Sequence, residues 1–217
     1  MIAEATDYLE AVEHLPKNGT LLLHNISWAE YEEILTKFQN KSAYRLSYNC
    51  GVLKIMSPRP DHEFPKDVVL ILVRVYAEEF DIELDSYGST TYRRRKKAKG
   101  AEADTSFYLR NAAKVRGKGE FDLETDPPPD VVVEIDISNE SLDKFEIYAA
   151  LKVSEIWRFD GKSFKIHILF ENKYETVSNS VELPLISGAL LDEFLQIGRE
   201  KGQSAMVKIF RQRLKEM

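Results

Sequence analysis

The hydrophobic and polar positions of this chain follow a helical period in some segments and a strand period in others. Apolar residues at helical spacing predict helices over about 28–39 and 62–80, and one or two closing helices over about 190–215. Ser27 precedes Glu30 by three residues, a capping-box pattern that marks the start of the first helix. A break near Gly202 is expected to interrupt the last helical segment.

Short β-prone runs bounded by turn residues predict the strands. The turn sequence Asn49-Cys50-Gly51 separates two of these runs, which predicts a hairpin. A further helix begins near Ser138 or Asn139, either of which can cap it. The predicted strands cover about 43–48, 52–56, 82–87, 90–96, 105–109, 131–137, 155–159 and 163–170.

Helices and strands therefore alternate, which predicts an α/β or α+β fold with a central mixed sheet flanked by helices. An N-terminal helix with its hairpin and a C-terminal helix are expected to add to this core. We expect one domain over residues 1–217, with the core at about 43–170 and a helical extension at about 190–217. No Gly-rich phosphate loop follows any predicted strand, which argues against a nucleotide-binding protein.

Composition places the chain among ordinary globular proteins, with 43% hydrophobic and 30% charged residues. No apolar run approaches the roughly 20 residues that cross a bilayer, and the N-terminal segment is acidic and polar. The single cysteine, Cys50, agrees with a reducing compartment. We therefore expect a cytoplasmic location and no association with membranes.

The most strand-like run of the chain, 131–137, carries two carboxylates. Alternate residues of a strand share a face, so Glu134 and Asp136 point away from the side occupied by Val131 and Val133. A strand this rich in β-branched residues is expected to be covered on both faces. Two covered carboxylates require a cation, unless this face opens to water at the end of the strand or the acids pair with Lys or Arg. This segment alone favours exposure to water or pairing over a cation.

A second segment changes that balance towards a metal site. Asp104 stands at the start of a predicted strand that precedes Glu134 by one strand and one loop. An Asp and a Glu on neighbouring strands can converge on one ion, and hard oxygen ligands suit Mg²⁺, with Mn²⁺ as an alternative. Glu63, at the start of the second predicted helix, is a candidate third acid.

A run of basic residues stands just before the Asp104 segment, at Arg93, Arg94, Arg95, Lys96 and Lys97. One interpretation is a strip that contacts the phosphates of DNA. The other is a solvated edge strand whose charges prevent aggregation. The net charge of −6 argues against a protein that coats nucleic acid by bulk attraction, but it does not exclude a local strip.

Three segments of the chain, 102–109, 131–144 and 148–160, resemble a known family. It is the putative restriction endonuclease family abundant in photosynthetic bacteria, a branch of the PD-(D/E)XK nuclease superfamily. The resemblance runs over about 35–169. Its most specific stretch is Glu134-Ile135-Asp136-Ile137, followed by Leu142-Asp143-Lys144-Phe145 and Ile147-Tyr148-Ala149-Ala150-Leu151.

The resemblance implies a restriction endonuclease-like fold and places the motif carboxylates on Asp104 and Glu134. Ala103 replaces the usual proline, and Asp136 replaces the usual lysine. In this branch a lysine from the following helix is expected to take the role of the replaced lysine, and Lys144 matches that position. Glu63 resembles an acid that many members add to the metal shell.

The implied activity is that of a Mg²⁺-dependent endonuclease that hydrolyses DNA through a metal-activated water. Asp104, Glu134, Glu63 and the Ile135 carbonyl are the expected metal ligands, and Lys144 is expected to act on the water or on the charge of the phosphate. The alternative is a catalytically weak nuclease-fold protein that binds nucleic acid or a protein partner, which Asp136 favours. The oligomeric state stays open; by analogy with other enzymes of this fold, the C-terminal helix is a candidate contact of a homodimer.

Overall fold

The structure is a computed structural model that describes residues 8, 12, 14–16, 19–38, 44–57, 62–136 and 144–216. Six helices are described, namely α1 (Trp28–Phe38), α2 (Glu63–Glu79), α3 (Ala112–Val115), α4 (Lys144–Leu151), α5 (Gly188–Lys201) and α6 (Gln203–Glu216). The strands are β1 (Thr20–Leu23), β2 (Arg45–Asn49), β3 (Val52–Met56), β4 (Asp85–Ser86), β5 (Thr91–Arg94), β6 (Lys99–Glu102), β7 (Thr105–Tyr108), β8 (Val131–Ile135), β9 (Glu155–Phe159), β10 (Phe164–Phe170) and β11 (Lys173–Val177).

These strands form two sheets. The larger has the order β11-β10-β9-β8-β7-β4 and is mixed, because β8 and β9 run parallel while its other pairs are antiparallel. The smaller has the order β1-β3-β2-β6-β5 and is entirely antiparallel. The predicted α+β plan with a mixed sheet is confirmed. The second sheet is a finding of the structure, since the sequence pattern did not separate its strands from the first.

The central strand β8 is covered on both faces, as its β-branched sequence predicted. Val131, Val133 and Ile135 lie in a core formed with α2, α5 and α6, while Val132 lies in a second core that includes residues of α4. All five residues of β8 are buried. Any charged group on this strand is therefore removed from water, which makes Glu134 an exception that its neighbours must stabilise.

The two sheets are joined by a very short connection between β6 and β7. Strand β6 belongs to the smaller sheet and β7 to the larger, and Ala103 and Asp104 alone separate them. The Asp104 amide donates to the Val133 carbonyl at 3.2 Å, so the chain joins β8 as soon as it leaves β6. Asp104 is thus held where the two sheets meet.

Local signals in the sequence agree well with the structure around α1 and the hairpin. The Ser27 hydroxyl and the Glu30 carboxylate form the reciprocal capping box, and α1 begins at the next residue, Trp28. Asn49 pairs with Val52 across a two-residue turn in which Cys50 and Gly51 have φ values of 44° and 93°. Both positive φ values fit the type I′ turn that hairpins favour.

Several predicted bounds change. The strand predicted over 82–87 is reduced to β4, and the strand predicted over 90–96 ends at Arg94, where a 3₁₀ turn, Arg95–Lys97, begins. Strands β1, β6 and β11 were not predicted, and Gly202 does divide the closing helices. The predicted caps Ser138 and Asn139 lie outside the described residues. Within the described part of the chain, no helix combines the length and apolar character of a membrane span.

A buried carboxylate at the start of β9 anchors the segment that leads to α5. Glu155 is 1% exposed, and its Oε1 accepts hydrogen bonds from the amides of Val181 and Glu182 at 2.6 and 2.9 Å. Its Oε2 accepts from the Trp157 indole at 2.9 Å and from the Ser180 hydroxyl at 2.7 Å. Four donors, of which the Trp157 indole and the Ser180 hydroxyl are buried, therefore depend on one side chain.

We predict that Glu155→Ala lowers the free energy of unfolding by about 3 kcal/mol, since it leaves these donors unsatisfied. Urea denaturation followed by circular dichroism measures the change. Glu175→Ala, which removes an exposed carboxylate from β11, is the matched control and should stay within about 0.5 kcal/mol of wild type. Equal unfolding midpoints for the two variants would contradict the anchoring role.

Candidate functional site

Four side chains from three parts of the fold meet where the two sheets join. Asp104 comes from the connection between β6 and β7, and Glu134 comes from β8. Lys144 and Tyr148 come from the first and second turns of α4, which packs against β6 and β11. The four-residue spacing places Lys144 and Tyr148 on the same face of the helix, so both can reach Glu134.

Asp104 is buried and held from both sides. Its Oδ2 accepts a hydrogen bond from the Ile135 amide at 2.7 Å, which fixes the carboxylate beside the end of β8. Its Oδ1 lies 3.9 Å from the Arg45 Nε of the smaller sheet. Ile135, whose carbonyl is a predicted metal ligand, therefore lies next to Asp104, and the role of that carbonyl stays a prediction.

Glu134 is 5% exposed, and each of its carboxylate oxygens has a donor. The Lys144 ammonium donates to Oε2 at 2.6 Å, and the Tyr148 hydroxyl donates to Oε1. Burial raises the pKa of Glu134 to about 7; Lys144 opposes this shift and the nearby Asp104 adds to it. The carboxylate is thus costly to ionise and is stabilised chiefly by one lysine.

Lys144 extends from the first turn of α4 back to the carboxylates, as its predicted role requires. Its Nζ also lies 3.5 Å from the Glu102 carbonyl, and the side chain is 22% exposed. Burial lowers the pKa of Lys144, but the carboxylates of Glu134 and Asp104 outweigh it, so the net pKa is raised. The side chain is therefore an ammonium group in this site.

Arg45 and Glu102 complete the surroundings, and the sequence did not point to either. Arg45 Nη1 lies 3.4 Å from Glu102 Oε1, so this one guanidinium contacts both Glu102 and Asp104. Burial raises the pKa of Glu102 to about 6, and Arg45 partly offsets that rise. An arginine within a predicted strand was the signal in the sequence, but its pairing depends on the second sheet.

Two acidic residues named from the sequence lie in other pairings. Asp136 Oδ2 accepts from Arg158 at 2.6 and 3.1 Å, which is the pairing with a basic residue that the sequence left open. The Glu63 carboxylate is half exposed and pairs with Lys66 on its own helix. Among the described residues, no three His, Cys, Asp or Glu side chains are grouped as a metal site would require. The structure thus does not group Glu63 with Asp104 and Glu134.

The basic run does not form one continuous strip. Arg94 points into the protein and donates to the carbonyls of Leu123 at 2.9 Å and Ala150 at 3.3 Å. Arg93 faces the opposite side of the sheet and lies 3.9 Å from Glu32. The three residues that remain exposed form the 3₁₀ turn Arg95–Lys97. Within this run, it is therefore chiefly the residues of the turn that are exposed enough to contact DNA.

The chemistry of the donors fits a hard divalent cation. Asp104 and Glu134 offer carboxylate oxygens, while Glu102 pairs with Arg45. Divalent cations of the Mg²⁺ type prefer such oxygen ligands. Asp104 and Glu134 are therefore the two residues that could hold such an ion.

We predict strong energetic coupling between Glu134 and Lys144. Lys144→Met leaves a buried carboxylate without its cation and should destabilise the fold by about 3 kcal/mol. Adding Glu134→Gln should recover most of that loss, because the double variant buries no unpaired charge. Urea unfolding of wild type, both single variants and the double variant gives four free energies of unfolding, and this double-mutant cycle yields the coupling between the two side chains. Additive effects, with no recovery in the double variant, would show that the two side chains do not stabilise each other.

A family model named Uma2, described as "Putative restriction endonuclease", matches residues 28–197. No curated protein matches the chain. Four chains of solved structures match it, among them the crystal structure of a "putative nuclease belonging to DUF820" from Anabaena variabilis. That protein is 16% identical with a TM-score of 0.48, and the match covers 69% of this chain and 90% of that chain.

The matched region includes Asp104, Glu134 and Lys144, together with both sheets except for β1. It also includes the segments, 102–109, 131–144 and 148–160, on which the resemblance was recognised. Since the family model spans most of the 217 residues, this chain belongs to the Uma2 family of putative restriction endonucleases.

Proposed function

We propose that this protein is a divalent-metal-dependent endonuclease that hydrolyses phosphodiester bonds of DNA. The observation that carries the proposal is the contact of 2.6 Å between Lys144 Nζ and Glu134 Oε2, with Asp104 alongside. Two carboxylates and a lysine are the groups that a nuclease of this superfamily uses. Here the lysine reaches the carboxylates from α4, although Asp136 stands at the usual lysine position.

Asp104 and Glu134 are the residues that would hold the ion, which we propose to be Mg²⁺ or Mn²⁺. When bound, such an ion polarises a phosphoryl oxygen and lowers the pKa of its water. The Ile135 amide keeps Asp104 turned towards β8, and the Tyr148 hydroxyl fixes one oxygen of Glu134. The protein thereby sets the orientation of both carboxylates before substrate arrives.

Lys144 supplies positive charge at the place where the phosphate must approach two carboxylates. As an ammonium group it can donate hydrogen bonds to the attacking water or to a phosphoryl oxygen that gains charge in the transition state. Arg45 acts as a positioning residue, because it contacts Asp104 and Glu102 at the same time. We also propose that both sheets act as one nuclease domain, since Arg45 and Asp104 bring them to the same site.

A catalytically weak nuclease-fold protein that binds nucleic acid or a protein partner is the second candidate. One arrangement favours it: both oxygens of Glu134 already accept hydrogen bonds, and Glu63 pairs with Lys66 away from the carboxylates. A site with two acidic ligands holds a metal ion less tightly than a site with three. The homodimer and the cytoplasmic location remain predictions.

We predict that the wild-type protein cleaves plasmid and single-stranded DNA with Mg²⁺ or Mn²⁺, and that cleavage stops when the metal is chelated. Asp104→Ala and Lys144→Ala should each lower the rate at least ~100-fold, as expected for the loss of a group that stabilises transition-state charge. Gel electrophoresis of timed samples measures the rate.

Lys152→Ala is the matched control for Lys144→Ala, because Lys152 follows the same helix and pairs with Asn172 on the surface. It should cleave at the wild-type rate. If wild type and Asp104→Ala show the same residual activity, the endonuclease proposal fails. DNA binding without metal-dependent cleavage would instead support the catalytically weak candidate.

We predict that the exposed turn Arg95–Lys97 contributes to DNA affinity through phosphate contacts. The double variant Lys96→Ala/Lys97→Ala should weaken binding and reduce the slope of log affinity against log salt by up to about 2, since each phosphate contact contributes ~0.9. Fluorescence anisotropy at several salt concentrations measures this slope. Lys201→Ala/Lys208→Ala removes two exposed lysines of α5 and α6 as a control. An equal slope change in both doubles would refute a local role for the turn.

A further inference from the structure

A cavity of about 620 Å³ lies beside the candidate site, on the α1 side of the smaller sheet. It is bounded by α1, the start of β2, the residues that lead into β5, and the loop around Gly119. Its volume falls within the roughly 300–1,000 Å³ that small-molecule sites occupy. None of the roles assigned above uses this cavity.

The lining combines carboxylates with aromatic rings. Among the described residues, Glu32, Glu102 and Glu120 contribute acidic groups; Glu32 lies near Arg93 and Glu102 near Arg45. Tyr44 contributes a partly exposed aromatic ring. A planar ligand that carries hydrogen-bond donors suits such a lining, because an aromatic ring can stack on its flat face while carboxylates accept from its edge.

Glu102 connects this cavity to the carboxylates of the site. In the pairing of β5 with β6, Gly100 lies opposite Arg93 and Glu102 lies opposite Thr91, so these residues share the face that lines the cavity. Glu102 is also two residues from Asp104, a span of at most about 7 Å along the chain. Glu102 therefore belongs both to the lining of the cavity and to the surroundings of Asp104.

The hydroxyl of Tyr31 is a further sign of unmet hydrogen bonding in this region. Tyr31 is fully buried, and its hydroxyl has no hydrogen-bond partner among the described residues. It interacts electrostatically with Arg93, Glu102 and Glu32, all of which line the cavity. Buried hydroxyl groups are normally paired, and this one lies over Gly100, on the face of β6 that also carries Glu102.

We propose that this cavity binds one unstacked nucleobase of the substrate strand and prefers a base with an exocyclic amino group. This inference rests on the proposed function, since it takes the ligand to be part of the nucleic acid that is cut. A carboxylate accepts a hydrogen bond from the amino group of cytosine, whereas thymine presents a carbonyl oxygen that a carboxylate repels. Enzymes that hold an unstacked base use this combination of edge hydrogen bonds and stacking.

The test compares fluorescein-labelled oligo(dC) and oligo(dT) of equal length, with binding measured by anisotropy in buffer that contains a metal chelator. Wild type is expected to bind oligo(dC) at least ~10-fold more tightly, which is the discrimination that a well-placed contact to a base gives. Equal affinities for the two oligonucleotides would overturn the proposal.

Two variant pairs localise the preference. A side chain added at Gly119 meets no atom within 4 Å, so Gly119→Trp should fill the cavity and abolish the preference, while Gly119→Ala should keep it. Glu32→Gln should reduce the preference, and Glu33→Gln, an exposed neighbour on α1, should not. A preference that persists in both Gly119→Trp and Glu32→Gln would place base recognition elsewhere and overturn the proposal.

The outcome is distinguishable from that of the cleavage assay because no cleavage occurs in the chelator. An inactive enzyme that still prefers oligo(dC) through this cavity would overturn the proposed catalysis but support base binding. An active enzyme that binds both oligonucleotides equally would overturn base binding alone.

Discussion

The burial of one carboxylate in the central strand β8 determines how the rest of this site is arranged. Strand β8 is covered on both faces by apolar cores, so Glu134 cannot be hydrated there as it would be at a surface. Lys144 and Tyr148, one helical turn apart on α4, supply the donors that make its burial tolerable. The packing of α4 over the sheet is therefore coupled to the chemistry of the site.

The junction of the two sheets provides the second constraint. Because two residues separate β6 from β7, Asp104 has little freedom, and its carboxylate is fixed by the Ile135 amide. The same junction brings Arg45 from the smaller sheet to within 3.9 Å of Asp104. A site built in this way depends on both sheets, and it places Glu102 between the carboxylates and the neighbouring cavity.

The sequence could predict what depends on local pattern. Strand β8, its two covered faces and the burial of Glu134 follow from the alternation of β-branched residues, whereas the role of Lys144 was inferred through the family resemblance. Strand β6 was missed because its sequence, Lys-Gly-Ala-Glu, has little β-propensity and is stabilised by its neighbours in the sheet. Arg45 lies in a strand that was predicted, but its contacts with Glu102 and Asp104 depend on how the two sheets meet, which a local pattern does not show. Glu63 pairs with Lys66, one helical turn away, which its charge alone did not show, and its role at a metal ion stays a prediction.

A crystal structure after soaking in Mn²⁺, with an anomalous difference map, tests the central claim most directly. We predict one ion between Asp104 and Glu134, with the Lys144 ammonium still within hydrogen-bonding distance of the site. An ion bound elsewhere with none between these carboxylates, or a Lys144 side chain turned away into solvent, would contradict it.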